Sequence, residues 1–511
     1  MWAIISVGLN GWWWRLSTVD VSCDLRRQGT PLAHAWERCV GSGHAVLALR
    51  ADYQAQLGRC HDELGVKYVR FHAVLSDDLG TLVCERNTLL YSFFNADTIW
   101  DALLSAGVRP FVELSFMPSA LASGTATVFQ YRGNITPPRD VTAWTALIRR
   151  LAAHAIERYG IDEVSQWFFE VWNEPNLPAF WTGTQAEYFR LYRETALALK
   201  SVSDRLRVGG PATADNGWIA PFVEYCASGH VPIDFVSTHH YPTDAFGRPG
   251  DDTEAQLAAS TRSVLRDKAR VTRQLVGDLP LYYTEWSTSS NSRDPLHDDP
   301  YAAAVVVKTM LEARGLVDGY SWWAFSDIFD ENFFPSEPFH GGFGLLNLYG
   351  IAKPSYRAFE LLHRLGTDLI FAFEDRHATV DAWVVRSADG HGATTVITNH
   401  ALPRHPIEAQ CVHLQLDGMP SCGAVTARRI DADHANAKTR WLALGRPPYL
   451  SAAQVAELHD ASRVAPERIT PAYENGSLRV DLVIPPHAVV AVTADYARPP
   501  ASPDGAGATC G

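Results

Sequence analysis

The sequence predicts an α/β protein: a (β/α)8 TIM barrel over residues 31–354 followed by an antiparallel β-sandwich over 355–496. Three observations carry this prediction. Eight strand-like runs alternate with seven helical stretches between about residues 40 and 350. Beyond about residue 355 the texture changes to short alternating runs divided by Gly, Pro, Asp and Asn. At roughly 150 residues per domain, 511 residues suit one large barrel with a companion.

The strand runs are, in order, HAVLAL (44–49), KYVRFHAVL (67–75), RPFVELSF (109–116), QWFFEVWNE (166–174), LRVGGPA (206–212), DFVSTHHY (234–241), PLYYTEWS (280–287) and GYSWWAFSD (319–327). Each is short, β-branched or aromatic, and ends in polar residues. Helical stretches at 50–65, 95–107, 142–160, 185–204, 220–229, 255–277 and 301–316 separate them. This alternation implies right-handed crossovers and a parallel sheet, and eight strands close a barrel. An open nucleotide-binding sheet would want a Gly-rich turn after its first strand. Gly41-Ser42-Gly43 is read here as lying before a strand, so it gives no support. The sandwich strands are predicted at 379–389, 393–402, 411–418, 424–431, 477–486 and 488–495. Residues 1–30 form an N-terminal segment, and its stretch at about 15–25 is expected to add a strand to the sandwich. The Pro-, Gly- and Ala-rich tail, 497–511, is expected to be disordered.

Composition excludes several classes. A formal net charge of −13 and no Lys/Arg run argue against nucleic acid and anionic lipid as partners. No apolar stretch approaches the ~20 residues of a membrane span. The eight Cys form no C-x-x-C pair and no zinc spacing, which suits free thiols in a reducing compartment. MWAIISVGLNGWWWR lacks a basic start and a small-residue cleavage site, so the expected location is cytoplasmic, with the periplasm as the alternative. Asn134-Ile135-Thr136 and Asn475-Gly476-Ser477 are chance-level glycosylation triplets. Nothing in the sequence calls for a metal or other cofactor, and it does not reveal the oligomeric state. The aromatic content, 11%, suits flat sugar rings, although most such residues in a large domain are core.

In such a barrel reacting groups sit at the carboxyl ends of strands. Those ends supply Arg70 and His72 (second run), Asn173 and Glu174 (fourth), His239 and Tyr241 (sixth), Glu285 (seventh), and Asp327, Asp330 and Glu331 (after the eighth). Glu174 and Glu285 each sit in an aromatic setting, in Trp172-Asn173-Glu174-Pro175 and Tyr283-Thr284-Glu285-Trp286. Two carboxylates facing one cleft can be driven to different protonation states, which glycosidic bond cleavage needs. By spacing alone they are equally readable as loop carboxylates that cap helices or pair with Arg. His72 and His239 read as structural histidines or hydroxyl ligands, and Tyr241 as a core tyrosine or a partner for an acid. In His239-His240, alternation predicts that only one ring enters the barrel mouth.

At these residues the sequence resembles the retaining (β/α)8 glycoside hydrolases, with catalytic glutamates on strands four and seven. More narrowly it resembles glycoside hydrolase family thirty-nine, the β-xylosidase and α-L-iduronidase family. The resemblance lies in CVGSGHAVLALR (39–50), VRFHAVLSDDLG (69–80), FVELSFMP (111–118), FEVWNEPNLPAFW (169–181), VSTHHYP (236–242), YTEWSTS (283–289), WWAFSDIFDE (322–331) and RIDADHANAKTRW (429–441), and covers roughly residues 20–495. It implies that Glu174 is the general acid/base and Glu285 the nucleophile. It further implies that Asn173 binds the 2-hydroxyl, Tyr241 hydrogen-bonds Glu285, His72 and His239 bind ring hydroxyls, Phe116 and Trp323 wall the sugar, and Glu331 binds hydroxyls deep in the glycone site. The xylosidases of the family often carry two Glu at the positions of 330–331. Here residue 330 is Asp, which reaches about 1.5 Å less.

The resemblance implies a retaining β-D-xylosidase acting on the non-reducing end of xylobiose and short xylo-oligosaccharides. Alternatives are an iduronidase-like or endo-acting relative, or a non-catalytic carbohydrate-binding barrel, which would have lost one of the glutamates. A uronic acid needs a paired cation. No Lys is expected near the loop ends of strands six and seven, and Arg293 is the nearest candidate. SDIFDE and FHGGFGLL (339–346) favour a neutral pentose, with Phe339 and Phe343 crowding C5.

Overall fold

The computed structural model describes residues 17–244, 252–331, 334–374 and 379–497. Eight parallel strands close into a barrel. They are Cys39–His44, Tyr68–His72, Arg109–Glu113, Phe168–Glu170, Arg207–Thr213, Phe235–His240, Leu281–Trp286 and Gly319–Trp322. Strand eight closes on strand one through Ser321 opposite Cys39 and Trp322 opposite Val40. Among the described residues no helix is long and apolar enough to cross a membrane.

The first strand corrects the sequence reading. HAVLAL is not a strand: Ala45–Leu49 is a 3-10 turn, and the strand is the preceding Cys39–His44. Gly41 lies inside it, where a Cβ would stand 2.5 Å from the Trp323 ring and 3.0 Å from the Trp322 carbonyl. Glycine is there so that strand eight and its tryptophan can approach, and a run of small residues in a central strand imitates a loop.

The helices cover the barrel through apolar stripes. Val141–Tyr159 opens with the Asp140 side chain accepting from Thr142 N–H at 2.7 Å and buries Trp144, Leu147, Ile148, Leu151 and Ala155. Gln185–Val202 begins with a reciprocal cap between Thr184 and Glu187. The stretch predicted at 255–277 is two helices, Thr253–Ala259 and Val264–Val276. The barrel also extends past residue 354. Helix Pro354–His363 packs on the barrel, with Tyr356 Oη donating to Glu63 at 2.9 Å, and Pro354 at its first turn was the available start signal.

The C-terminal region is a two-sheet sandwich over a separate apolar core that includes Val384, Ile397, Leu414 and Val490. The seven-stranded sheet contains a strand absent from the prediction, Asp368–Glu374, paired antiparallel with Val380–Arg386. Ser17–Asp24 joins the four-stranded sheet and runs parallel to Gln410–Asp417, so the sandwich is mixed at this edge. RIDADHANAKTRW is only partly strand: after Val425–Ile430 the chain inserts two helices, Ala437–Ala443 and Ala452–Ala461. The tail from 498 and the first 16 residues lie outside the described residues.

Inside the barrel Tyr68, Phe111, Phe168, Phe235 and Tyr282 form an aromatic plug at the amino ends of the strands. Phe111 stacks on Phe168 at 4.8 Å. The plug closes the barrel below, so the polar groups above it open only towards the carboxyl ends. Gly41→Ala is expected to push Trp323 off strand one. It should lower the thermal midpoint, the stability loss being about 1–3 kcal/mol as for overpacked cores; thermal melts check it.

Candidate active site

Two residues above the plug, Arg70 replaces Tyr68 on the inward face of strand two, and its guanidinium is fully buried. Nε donates to Glu170 Oε2 at 2.5 Å, Nη1 to Glu285 Oε1 at 2.8 Å and Nη2 to Asn173 Oδ1 at 2.9 Å. Nη2 also lies 2.8 Å from Glu113 Oε2. Burial opposes its charge, but Glu170, Glu113 and Glu285 hold its pKa above the ordinary value. Sequence reasoning placed Arg70 at a strand end but gave it no role. A buried arginine facing three strand-borne acids is the signal it missed.

Glu285 does not point inward by simple alternation. Tyr282 and Thr284 face the barrel interior, Thr284 Oγ1 donating to Glu170 Oε1 at 2.8 Å. A register shift against strand six pairs Thr238 with Tyr283 but His239 with Glu285. This bulge turns Glu285 into the barrel beside its neighbour. There it accepts from Arg70 and, through Oε2, from Tyr241 Oη at 2.8 Å.

Glu174 lies past the end of strand four. Its φ is 41° and that of Trp172 is 73°, both left-handed and held by the surroundings. The Glu174 N–H donates to the Ala212 carbonyl at 2.8 Å, tying it to strand five. Its carboxyl is 2.9 Å from His239 Nδ1 and has no contact with Arg70. Burial, and then the negative charge of Glu285, push its pKa well above the carboxylate range. Burial, reinforced by the charges of Arg70 and His72, drives the His239 pKa well below its usual value, so this ring is neutral. Ligand atoms of Glu174, His239 and Glu285 lie within 4.8 Å of one another. Among the described residues they are the one set able to offer three ligands to a metal. The Arg70 guanidinium already supplies the positive charge at Glu285, so the set suits an acid–carboxylate pair better than a second cation.

Glu174 and Glu285 line one cavity of about 560 Å³, within the range of small-ligand sites. His72, Asn173, Tyr241, Trp323 and Glu331 reach it, as do both glutamates. Asn173 Oδ1 is occupied by Arg70, which leaves its Nδ2 hydrogens for a ligand. His72 is held by Glu113 Oε2 at 2.6 Å, with Nε2 3.5 Å from Glu331 Oε1. Burial, then Glu285 and Asp330, raise the Glu331 pKa well above its usual value.

Several expected placements differ. Phe116 does not line the cavity: it is fully buried behind His72 and Trp172, and the lining ring is Phe129. His239 lies beneath the cavity as a partner of Glu174, not in its lining. The lining histidine is His240, whose Nδ1 is 3.1 Å from Asp215 Oδ1. Both rings therefore reach the site, because the bulge disturbs alternation there. Phe339 packs on Trp441 at 5.4 Å, leaving Phe343 alone of that pair in the lining. Lys268 lines the cavity from the helix after strand six, paired to Asp215 at 3.1 Å. Asp330 turns away to His44, 3.4 Å off.

The profile described as glycosyl hydrolases family 39 matches residues 19–479. The chain belongs to this family. It is 49% identical over 465 residues to a protein named beta-xylosidase from Caldicellulosiruptor saccharolyticus, covering 90% of this chain and 94% of that one. It is 38% identical to a beta-xylosidase from Geobacillus stearothermophilus, covering 83% of this chain and 86% of that one. The crystal structure of a monomeric beta-xylosidase from Caulobacter crescentus CB15 superposes with a TM-score of 0.82 at 32% identity, covering 94% of this chain and all of that one.

In this family 39 chain Arg70→Met should leave Glu113, Glu170 and Glu285 without their shared cation. Removing one partner of a buried pair costs about 3–5 kcal/mol. Urea denaturation should show a loss of that size, and Arg70→Lys, which keeps the charge but not the fork, should recover only part of it.

Proposed function

We propose that this protein is a retaining, exo-acting β-D-xylosidase that releases xylose from the non-reducing end of xylobiose and short xylo-oligosaccharides. One observation carries the retaining chemistry: carboxylate oxygens of Glu174 and Glu285 lie within 4.8 Å across a single cavity. That fits the ~5–5.5 Å carboxyl separation of a double displacement and leaves no room for the water of a single displacement, which needs about 6.5–9.5 Å. The substrate class is supported by the relatives, which carry the name beta-xylosidase at 49% and 38% identity.

Glu174, held protonated by its surroundings, gives its proton to the glycosidic oxygen while Glu285 attacks the anomeric carbon. The aglycone leaves and a glycosyl ester forms on Glu285. Glu174, now ionised, takes a proton from water, which attacks the anomeric carbon and frees the sugar with its configuration retained. Asn173 Nδ2 is the donor available to the 2-hydroxyl.

An iduronidase-like reading fares worse. Among the described residues the glycone end presents His72, Trp323, Glu331 and Phe343, with no lysine or arginine among them to pair a carboxylate at C5. Lys268 is engaged by Asp215, and Arg293 lines a separate small cavity.

Glu285→Ala should abolish turnover of an aryl β-xyloside by several orders of magnitude; unchanged turnover removes the nucleophile assignment. Glu174→Ala should cost about 10²–10⁴-fold on substrates with poor leaving groups and be rescued by azide as the β-xylosyl azide. The pH dependence follows from the raised pKa of Glu174. The acid stays protonated above the pH at which an ordinary carboxyl ionises, and activity falls once pH rises through that raised value. Rate profiles should show this alkaline limb in the wild type and lose it in Glu174→Ala with an activated aryl leaving group. On a panel of aryl glycosides, xyloside should exceed arabinoside, glucoside and iduronide.

A further inference from the structure

The cavity has two ends. Glu174 delivers its proton to the leaving oxygen, so the leaving group lies on its side, where Asn176, Asp215, His240 and Lys268 line the wall. The ring retained on Glu285 lies at the other end, among His72, Trp323, Glu331 and Phe343. Beside that end stands a short hairpin, Thr127–Val128 and Gly133–Asn134. Its turn is closed by the Arg132 N–H donating to the Phe129 carbonyl at 3.2 Å. Phe129 and Arg132 are both left-handed, at φ 58° and 59°, a conformation non-glycine residues rarely hold. A Cβ on Gly133 would meet the Phe116 ring at 2.4 Å, so the hairpin sits directly on the barrel.

The hairpin faces two cavities. Phe129 lines the catalytic one. Tyr131, two residues on, lines a second cavity of about 580 Å³ together with Asp77, Ser119, Thr125 and Arg132. Hydroxyls, a carboxylate and a guanidinium are the groups that hydrogen-bond sugar hydroxyls. Tyr131 lies flat against His44, with ring centroids 3.8 Å apart and planes 10° apart. His44 is flanked by two carboxylates, with Nε2 2.6 Å from Asp78 and Nδ1 3.4 Å from Asp330. Burial pulls its pKa down, but the two carboxylates outweigh it and raise the value to about 8. The Tyr131 hydroxyl is buried and has no hydrogen-bond partner among the described residues. A buried unpaired hydroxyl is destabilising, and ring packing alone would be served better by phenylalanine.

We propose that the stacked Tyr131–His44 pair is the stop that limits the glycone side to one sugar, and that the cavity behind it is a blocked subsite for a second, neutral sugar. Asp330 serves this stop by holding His44 rather than substrate. The proposal rests on the exo-xylosidase reading above.

The test is 4-nitrophenyl β-xylobioside, followed by nitrophenolate release and by chromatography of the sugars. The wild type should release xylose first and nitrophenolate only after a lag. Direct xylobiose release by the wild type overturns the exo reading itself, and no activity on the aryl xyloside overturns the xylosidase reading. Tyr131→Ala should remove the lag and raise the xylobiose-to-xylose ratio by about ten- to a hundredfold, the range one pocket contact contributes to discrimination. Tyr131→Phe keeps the ring and should keep the lag. Tyr131→Val serves as a second opening variant should the alanine variant fail to fold by near-UV circular dichroism. Xylose-first release by a folded opening variant overturns the proposal, and so does misfolding of both, which would make Tyr131 a purely structural residue.

Discussion

One buried guanidinium organises this protein's chemistry. Arg70 is fully buried and faces Glu113, Glu170 and Glu285. Three carboxylates could not share a dry barrel without it, since the desolvation of each would go unrepaid. Its fork sends one nitrogen in each direction: Nε down to Glu170, Nη1 to Glu285, Nη2 to Asn173 and Glu113. Glu113 in turn fixes His72 at 2.6 Å and accepts from Ser115. The groups that would touch a sugar are therefore positioned by a layer that no sugar touches. The aromatic plug below denies that layer any other exit.

The same arrangement separates two chemically identical side chains. Glu285 receives an arginine and a tyrosine hydroxyl. Glu174 receives only a neutral imidazole and stands in the field of Glu285. Hydrogen bonds from a cation stabilise a carboxylate, whereas burial beside a like charge stabilises the acid form. The division of labour thus comes from which strand end Arg70 can reach. Strand four carries Glu170 within that reach and Glu174 four residues further on, beyond it.

Much of this was legible in the sequence because barrels place chemistry at strand ends and the apolar runs mark those ends. The glutamate pair, Asn173, Tyr241 and Glu331 could be named for that reason, whereas Trp323 was named only through the family resemblance. What escaped depends on local departures from regular geometry. Simple alternation turns Glu285 outward, and register shifts against both neighbouring strands, at Thr238/His239 and at Tyr283/Trp286, bring it in. The same irregularity brings His239 and His240 both to the site. The first strand was hidden because Gly41 serves a contact with Trp323, and small residues read as a loop. Phe129 and Tyr131 sit on a hairpin of two-residue strands, too short to show a period. Lys268 reaches the cavity from a helix, which an inventory of strand ends does not visit.

The electrostatics also fit a cycle rather than a single state. Glu174 owes its raised pKa first to burial and then to the charge on Glu285. An ester bond on Glu285 would erase that second cause while leaving Arg70 in place. With that like charge gone and Arg70 still in place, the pKa of Glu174 falls, since removing a nearby negative charge favours the ionised form. An acid poised to give a proton thereby becomes a base poised to accept one, with no movement of either side chain. Glu331 experiences the same change, because Glu285 is also the largest charge raising its pKa. Two acids at the cavity wall are thus coupled to the covalent state of a third, and Arg70, unchanged throughout, is the reference against which all three are set.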